Sequence, residues 1–137
     1  MSGVSAQQVF AVLEDGRSYG HWVVGTRHIR EVDPGWPAPG TRLHYTVGYG
    51  PLRHEDVSTS VHSSPPSRLE IEAKAWPAGT ADIVLLAEEG EHGTLVTIDE
   101  KPAQGPAKKL HNPALDLVIK VRNVETLRRL EQLARRR

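Results

Sequence analysis

The chain has 137 residues, 38% hydrophobic and 25% charged, with Lys+Arg 17 balanced by Asp+Glu 17 and no cysteine. That length fits a single domain over residues 1–137 and leaves no room for two separate cores, while zero net charge speaks against a strongly basic nucleic-acid binder. The missing cysteines exclude disulfides, thiolate metal sites and a thiol nucleophile, and no apolar run reaches the roughly 18 residues of a membrane span.

Met1-Ser2-Gly3-Val4 has neither the basic region nor the apolar stretch of a signal peptide, so the cytoplasm is the expected compartment. The first helix is announced by Ser5-Ala6-Gln7-Gln8, a capping box in which Ser5 accepts from the Gln8 amide and Gln8 reaches back. Val4 and Val9 stand at the staple positions, and Val9, Phe10, Val12 and Leu13 supply the apolar face up to a stop at Asp15-Gly16. A second short helical turn is expected from Ser18, carrying Tyr19 and Trp22.

From Gly25 to Glu100 turn signals recur at Asp33-Pro34-Gly35, Pro37-Ala38-Pro39-Gly40, Gly48-Tyr49-Gly50-Pro51, Ser64-Pro65-Pro66, Pro77-Ala78-Gly79 and Gly90-Glu91-His92-Gly93. Their spacing predicts an antiparallel meander. Leu43, Tyr45 and Val47 alternate with polar residues, as do Val57, Thr59 and Val61, and then Leu69, Ile71, Ala73 and Ala75. Those odd-numbered positions are expected on one covered face. Ile83-Val84-Leu85-Leu86 does not alternate and is expected to be buried on both faces, while Val96, Ile98 and Glu100 share the inner face of the last strand.

Gln104 to His111 reads as a loop or single helical turn, and Asn112-Pro113 as a capped helix start. Leu117, Val121, Val124, Leu127 and Leu130 then recur at three- to four-residue spacing, predicting an amphipathic helix of about 24 residues, roughly 36 Å long.

Short helices, a meander of about six or seven strands and one long terminal helix form an order that resembles the α+β helix-grip fold of the START-like superfamily, also called SRPBCC, which includes polyketide cyclase/dehydrase-type proteins. The resemblance is carried by the segment Val4 to Leu13, by Tyr19-Gly20-His21-Trp22, by Pro39-Gly40-Thr41-Arg42-Leu43, by Gly93 to Ile98, and by Asn123-Val124-Glu125-Thr126-Leu127. It implies a curved antiparallel sheet wrapped around the C-terminal helix with a hydrophobic cavity between them. Members of the superfamily usually open with a full strand before the first helix, whereas four residues precede Ser5 here. Either that strand is vestigial or one sheet edge is left incomplete, and an open edge invites a homodimer.

Parity places the candidate chemistry. With the Gly48–Pro51 turn joining two strands, Tyr45 is expected opposite Arg53 and Leu43 opposite Glu55, all facing the cavity. The Arg53–Glu55 pair would orient a polar ligand group, the Tyr45 phenol would donate to a carbonyl oxygen, and Glu100 would serve as acid or base if burial raises its pKa. The alternative is that Arg53 and Glu100 reach solvent near strand ends. Trp22, Leu43, Val57, Leu69, Ile71, Ile98, Leu117, Val121 and Val124 are expected to line a cavity for a hydrophobic small molecule.

The resemblance makes a cyclase- or dehydratase-type reaction conceivable, leaving enzymatic activity open beside two alternatives. One is a non-catalytic carrier or sensor of lipid-like ligands; the other is a filled interior acting through its surface. No cofactor and no metal are expected. His44 and His54 are predicted as outer-face neighbours, His28 as an ordinary strand residue or one near the cavity mouth, and no histidine pair has protease spacing. Charge is uneven, with ten acids and two Lys/Arg over residues 54–100 but nine Lys/Arg and three acids over residues 108–137. The basic end suits a solvated helix terminus; without interleaved aromatics, no nucleic-acid partner is expected.

Overall fold

The computed structural model describes residues 1–49, 51–75, 79–104 and 113–137. Helix α1 (Ala6–Glu14) is followed by a 3₁₀ turn (Gly16–Ser18) and the short helix α2 (Tyr19–Trp22). Six strands come next: β1 (Thr26–Val32), β2 (Arg42–Tyr49), β3 (Leu52–Ser64), β4 (Arg68–Ala75), β5 (Gly79–Gly90) and β6 (Gly93–Gln104). Helix α3 (Pro113–Ala134) ends the chain. The strands pair antiparallel in sequence order β1-β2-β3-β4-β5-β6 and the sheet does not close. The expected loop before His111, the Asn112 cap, Gly50, and Pro77-Ala78 of the fifth turn lie outside the described residues.

The start of α1 follows from its sequence. The Gln8 amide donates to Ser5 Oγ at 3.1 Å and the Ser5 amide to Gln8 Oε1 at 2.8 Å, satisfying two orphan donors reciprocally. At its other end the Leu13 carbonyl accepts from the Tyr19 hydroxyl at 2.8 Å and from Trp36 Nε1 at 3.0 Å. Two aromatics that bury their rings in the core thus place their polar atoms on a helix terminus that needs donors. Between these helices Gly16 is buried against Leu43 and Val32, where a Cβ would come within 2.6 Å of a Leu43 methyl.

The strand alternation holds on β2, where Leu43, Tyr45 and Val47 are buried, and on β4, where Leu69 and Ile71 are. On β3 it is inverted. Tyr49 pairs with Leu52, which sets Tyr45 opposite Asp56, Leu43 opposite Ser58, Thr46 opposite Glu55 and Gly48 opposite Arg53. Each pair joins an odd residue to an even one, and a shift of register by one residue moves a whole strand's side chains to the other face. Ser58 and Ser60 are therefore buried, while Val61 is 58% exposed. The inward Ser60 hydroxyl donates to the Pro37 carbonyl at 2.7 Å, so the loop before β2 covers it. The same register separates His44, opposite Val57, from His54, opposite Val47. On β5 only Leu85 and Ala87 are fully buried; Val84 and Leu86 are half-buried.

Residues 1–4 clip onto the start of β6. Ser2 bridges Gly93, the Met1 ammonium donates to the Thr94 carbonyl at 2.8 Å, and the Thr94 hydroxyl donates to the Val4 carbonyl at 2.6 Å.

Helix α3 packs its second half against α1 and α2, burying Thr126, Leu130 and Ala134. The apolar stripe expected to face inward lies on the opposite side. Leu117, Val121 and Val124 are 62%, 63% and 69% exposed. At 100° per residue these three point about 180° away from Ile119, Arg122 and Thr126, so the inward face of the first turns carries a mixed set of side chains.

Candidate functional site

Between the sheet and α3 lies a cavity of about 160 Å³. Its floor is the inner face of the sheet: Ile29, Leu43, Tyr45 and Val47 from the first two strands, and Ile71, Ala73, Ala81, Ile83, Leu85 and Ile98 from the last three. Tyr19, Trp22 and the turn through Gly25 close one side. Glu100 from β6 and Arg122, Asn123 and Thr126 from α3 form the polar rim.

Trp22 is fixed by a short relay, its indole N–H donating to Ser18 Oγ at 3.1 Å and that hydroxyl lying 2.6 Å from the Asp15 carbonyl. The Tyr19 ring stacks obliquely on it with centroids 4.6 Å apart.

Tyr45 and Ser58 supply the polar group on the sheet side. The Tyr45 phenol donates to the Lys74 carbonyl at 2.5 Å, which leaves its oxygen to accept from Ser58 Oγ at 2.9 Å. Burial pushes the phenol pKa up to about 12, the Ser58 hydrogen bond offsetting part of that rise. Tyr45 thus holds its proton firmly and directs it at the backbone.

On the helix side Glu100 is nearly buried and forms an ion pair with Arg122 Nη2. Asn123 Nδ2 lies 3.5 Å from the same carboxylate oxygen. Glu100 is nearly buried and Arg122 one-third exposed, so removing Arg122 alone would leave a carboxylate unpaired in a poorly solvated place. Arg122 Nε is sealed from solvent with no hydrogen-bond partner.

Of the residues expected at the site, Trp22, Leu43, Tyr45, Ile71, Ile98 and Glu100 do line the cavity. The others do not. Arg53 is exposed opposite Gly48, and Glu55 has a side chain 72% exposed, 3.7 Å from Arg30. The pairing of Tyr49 with Leu52 shifts the register from the expected one and turns both outward. Val57 falls on the outer side of β3 for the same reason, and Leu69 is buried in the core away from the cavity. Leu117, Val121 and Val124 point outward because α3 turns its other side to the sheet. His28 is exposed, and its neighbour Ile29 takes the cavity position. Among the described residues no three His, Cys, Asp or Glu side chains converge as a metal site would require.

Sequence reasoning missed Ser58, Arg122, Asn123 and Thr126. A signal was present on the helix, since Arg122 and Thr126 are polar at i and i+4 on a face that continues to Leu130.

No protein-family sequence model matches the chain, and no curated protein matches it in sequence. Solved structures do. Protein NE0264 from Nitrosomonas europaea aligns with a TM-score of 0.73 at 18% identity, over 98% of this chain and 90% of that one. Ara h 8.0201 aligns with a TM-score of 0.72 at 12% identity, over 99% and 93% of the two chains. The di-domain ARO/CYC StfQ from the steffimycin biosynthetic pathway aligns with a TM-score of 0.74 at 9% identity, over 98% of this chain and 48% of StfQ. The chain has the α+β helix-grip fold. At these identities the likeness extends to architecture alone, because one fold hosts many unrelated sites. Among the described residues of this helix-grip chain, no helix is long and apolar enough to cross a membrane.

Proposed function

We propose that residues 1–137 act as one domain that binds a small hydrophobic molecule in the cavity between sheet and terminal helix. Trp22, Leu43, Tyr45, Ile71, Ile98 and Glu100 contribute to the binding surface. The observation that carries this reading is the cavity itself, about 160 Å³ with aliphatic and aromatic walls and a few polar groups at its rim. A dry apolar space near 150 Å³ takes up a benzene-sized molecule, so the size favours a single ring over a long chain.

A cyclase- or dehydrase-type reaction is the alternative that the likeness to StfQ raises. It needs a proton donor or acceptor turned toward the ligand. Tyr45 has committed its proton to the Lys74 carbonyl, Glu100 is paired with Arg122, and Arg53 and Glu55 lie on the surface. This arrangement favours a carrier or sensor over an enzyme. A cytoplasmic setting is consistent with that role.

Native mass spectrometry of freshly purified protein tests the reading, together with thermal melts in toluene. We expect a co-purifying small molecule or a saturable rise in Tm, and an Ala73→Leu variant that fills the cavity should lose both. Absence of both signals in the unaltered protein rejects it.

A second reading rests on the sheet edge. On the side away from β5, Met1 and Ser2 meet the start of β6 at Thr94 and Gly93, and among the described residues no strand pairs with the rest of that edge. We propose that a second copy pairs along that edge, over a stretch shortened by Pro102, which has no amide proton to offer. Sedimentation that returns only monomer at micromolar concentration excludes it.

A further inference from the structure

The polar rim of the cavity has donors to spare. Thr126 is buried, and its Oγ1 accepts from the Val24 amide at 3.3 Å. Among the described residues nothing accepts the hydroxyl proton of Thr126. One helical turn earlier, Arg122 spends Nη2 on Glu100 and Asn123 while its Nε has no partner. Residues at i and i+4 are neighbours on one helix face, so both unspent donors belong to the same corner of the cavity. A buried donor without an acceptor costs more than a made hydrogen bond contributes, and such a group in a folded protein calls for an explanation.

The acceptors are partly engaged: Glu100 Oε2 takes the bonds from Arg122 and Asn123, and the Tyr45 oxygen faces Ser58. Charge narrows the class further. Glu100 already neutralises Arg122, so an incoming carboxylate would be placed beside a buried carboxylate in a medium that screens poorly.

We propose that the cavity selects a neutral, ring-sized molecule bearing one carbonyl oxygen, and that this oxygen accepts from the Thr126 hydroxyl at the corner shared with Arg122. The proposal rests on the cavity-binding reading above and specifies its ligand class. The Arg122–Glu100 pair ties the middle of α3 to β6, one helical turn before Thr126.

Three probes of one shape test it: acetophenone, its hydrocarbon isostere α-methylstyrene, and the anionic isostere benzoate. Dissociation constants are measured by calorimetry or ligand-observed NMR for the unaltered chain and for Thr126→Val and Thr126→Ser. We expect Thr126→Val to weaken acetophenone about 5- to 10-fold, the worth of one buried hydrogen bond, and to leave α-methylstyrene within about twofold. Thr126→Ser, which keeps the hydroxyl, should retain acetophenone affinity. Benzoate should bind more weakly than acetophenone to the unaltered chain.

If α-methylstyrene binds and acetophenone is indifferent to Thr126→Val, the carbonyl proposal falls and the cavity reading stands. Benzoate binding tightest also overturns the proposal, and needs no variant to do so. If none of the three probes binds, the cavity reading itself fails and takes the proposal with it.

Discussion

Tyr45 and Ser58 hold their oxygens 2.9 Å apart on the inner side of the β2–β3 pair, and the phenol passes its own proton on to the Lys74 carbonyl of β4. Three neighbouring strands are thereby tied by one side chain. Removing only the phenolic oxygen leaves a carbonyl and a hydroxyl without partners in a buried place. Tyr45→Phe should therefore cost about 1–3 kcal/mol, read as a lower denaturant midpoint with an unchanged m-value. Ser58→Ala, which leaves the Tyr45 proton engaged, should cost less.

Alkaline titration reads the same residue. Burial raises the Tyr45 pKa from 10.0 to about 12 and lifts that of Tyr19 further. Because the folded state binds these protons more tightly than the unfolded one, their stabilisation is intact below pH 10 and is lost as pH climbs through 12. Tyrosinate absorbance from Tyr19 and Tyr45 should appear in one step with the loss of near-ultraviolet dichroism. Ionisation of both near pH 10 in a folded chain would contradict their burial.

Two glycines make a matched pair. A Cβ at Gly16 would lie 2.6 Å from a Leu43 methyl and 2.8 and 2.9 Å from those of Val32, so Gly16→Ala should destabilise by about 1–3 kcal/mol through overpacking. At Gly20 the nearest atom is 3.8 Å away, on Ile29. Gly20→Ala in helix α2 should be neutral or stabilise by up to about 1 kcal/mol. Thermal melts of the two variants, measured side by side, check both signs.

On the solvent side of α3, hydrogen bonds from Arg128 and Arg129 hold the Glu125 carboxyl down at about 2. Its contribution to stability is present above the ordinary value of 4.5 and lost as pH falls toward 2. The carboxylate faces solvent in part, so the effect should be screened by salt. An NMR titration of Glu125 should show its pKa moving back toward 4.5 in Arg129→Ala and at high ionic strength.

How much of this was legible beforehand varies with the kind of signal. Elements announced by local chemistry were readable, as with the Ser5–Gln8 box, the alternation of β2 and β4, and the glycine- and proline-marked turns. The wall residues Leu43, Ile71 and Ile98 followed from that alternation. What failed depended on long-range choices that leave little trace in a window of residues. Strand β3 alternates polar with apolar in either register, and the pairing of Tyr49 with Leu52 turned Ser58 inward and Arg53 and Glu55 outward. In α3 two faces could each have met the sheet, one carrying Leu117, Val121 and Val124 and the other Arg122 and Thr126. Hydrophobicity argues for the first, but the helix is oriented by Leu130 and Ala134 packing near its end.

Among the described residues the C-terminal helix is tied at its end to α1 and midway, through Arg122, to Glu100 of β6. Gln8 Nε2 reaches the carbonyls of Ala134 and Arg137 at 3.4 and 3.3 Å, and Arg137 holds Asp15 at 2.6 Å, whereas Leu117 and Val121 meet solvent. The hub at Leu130 and the tie at Arg122 are eight residues apart, about 12 Å of helix, so losses of stability at the two should add rather than couple.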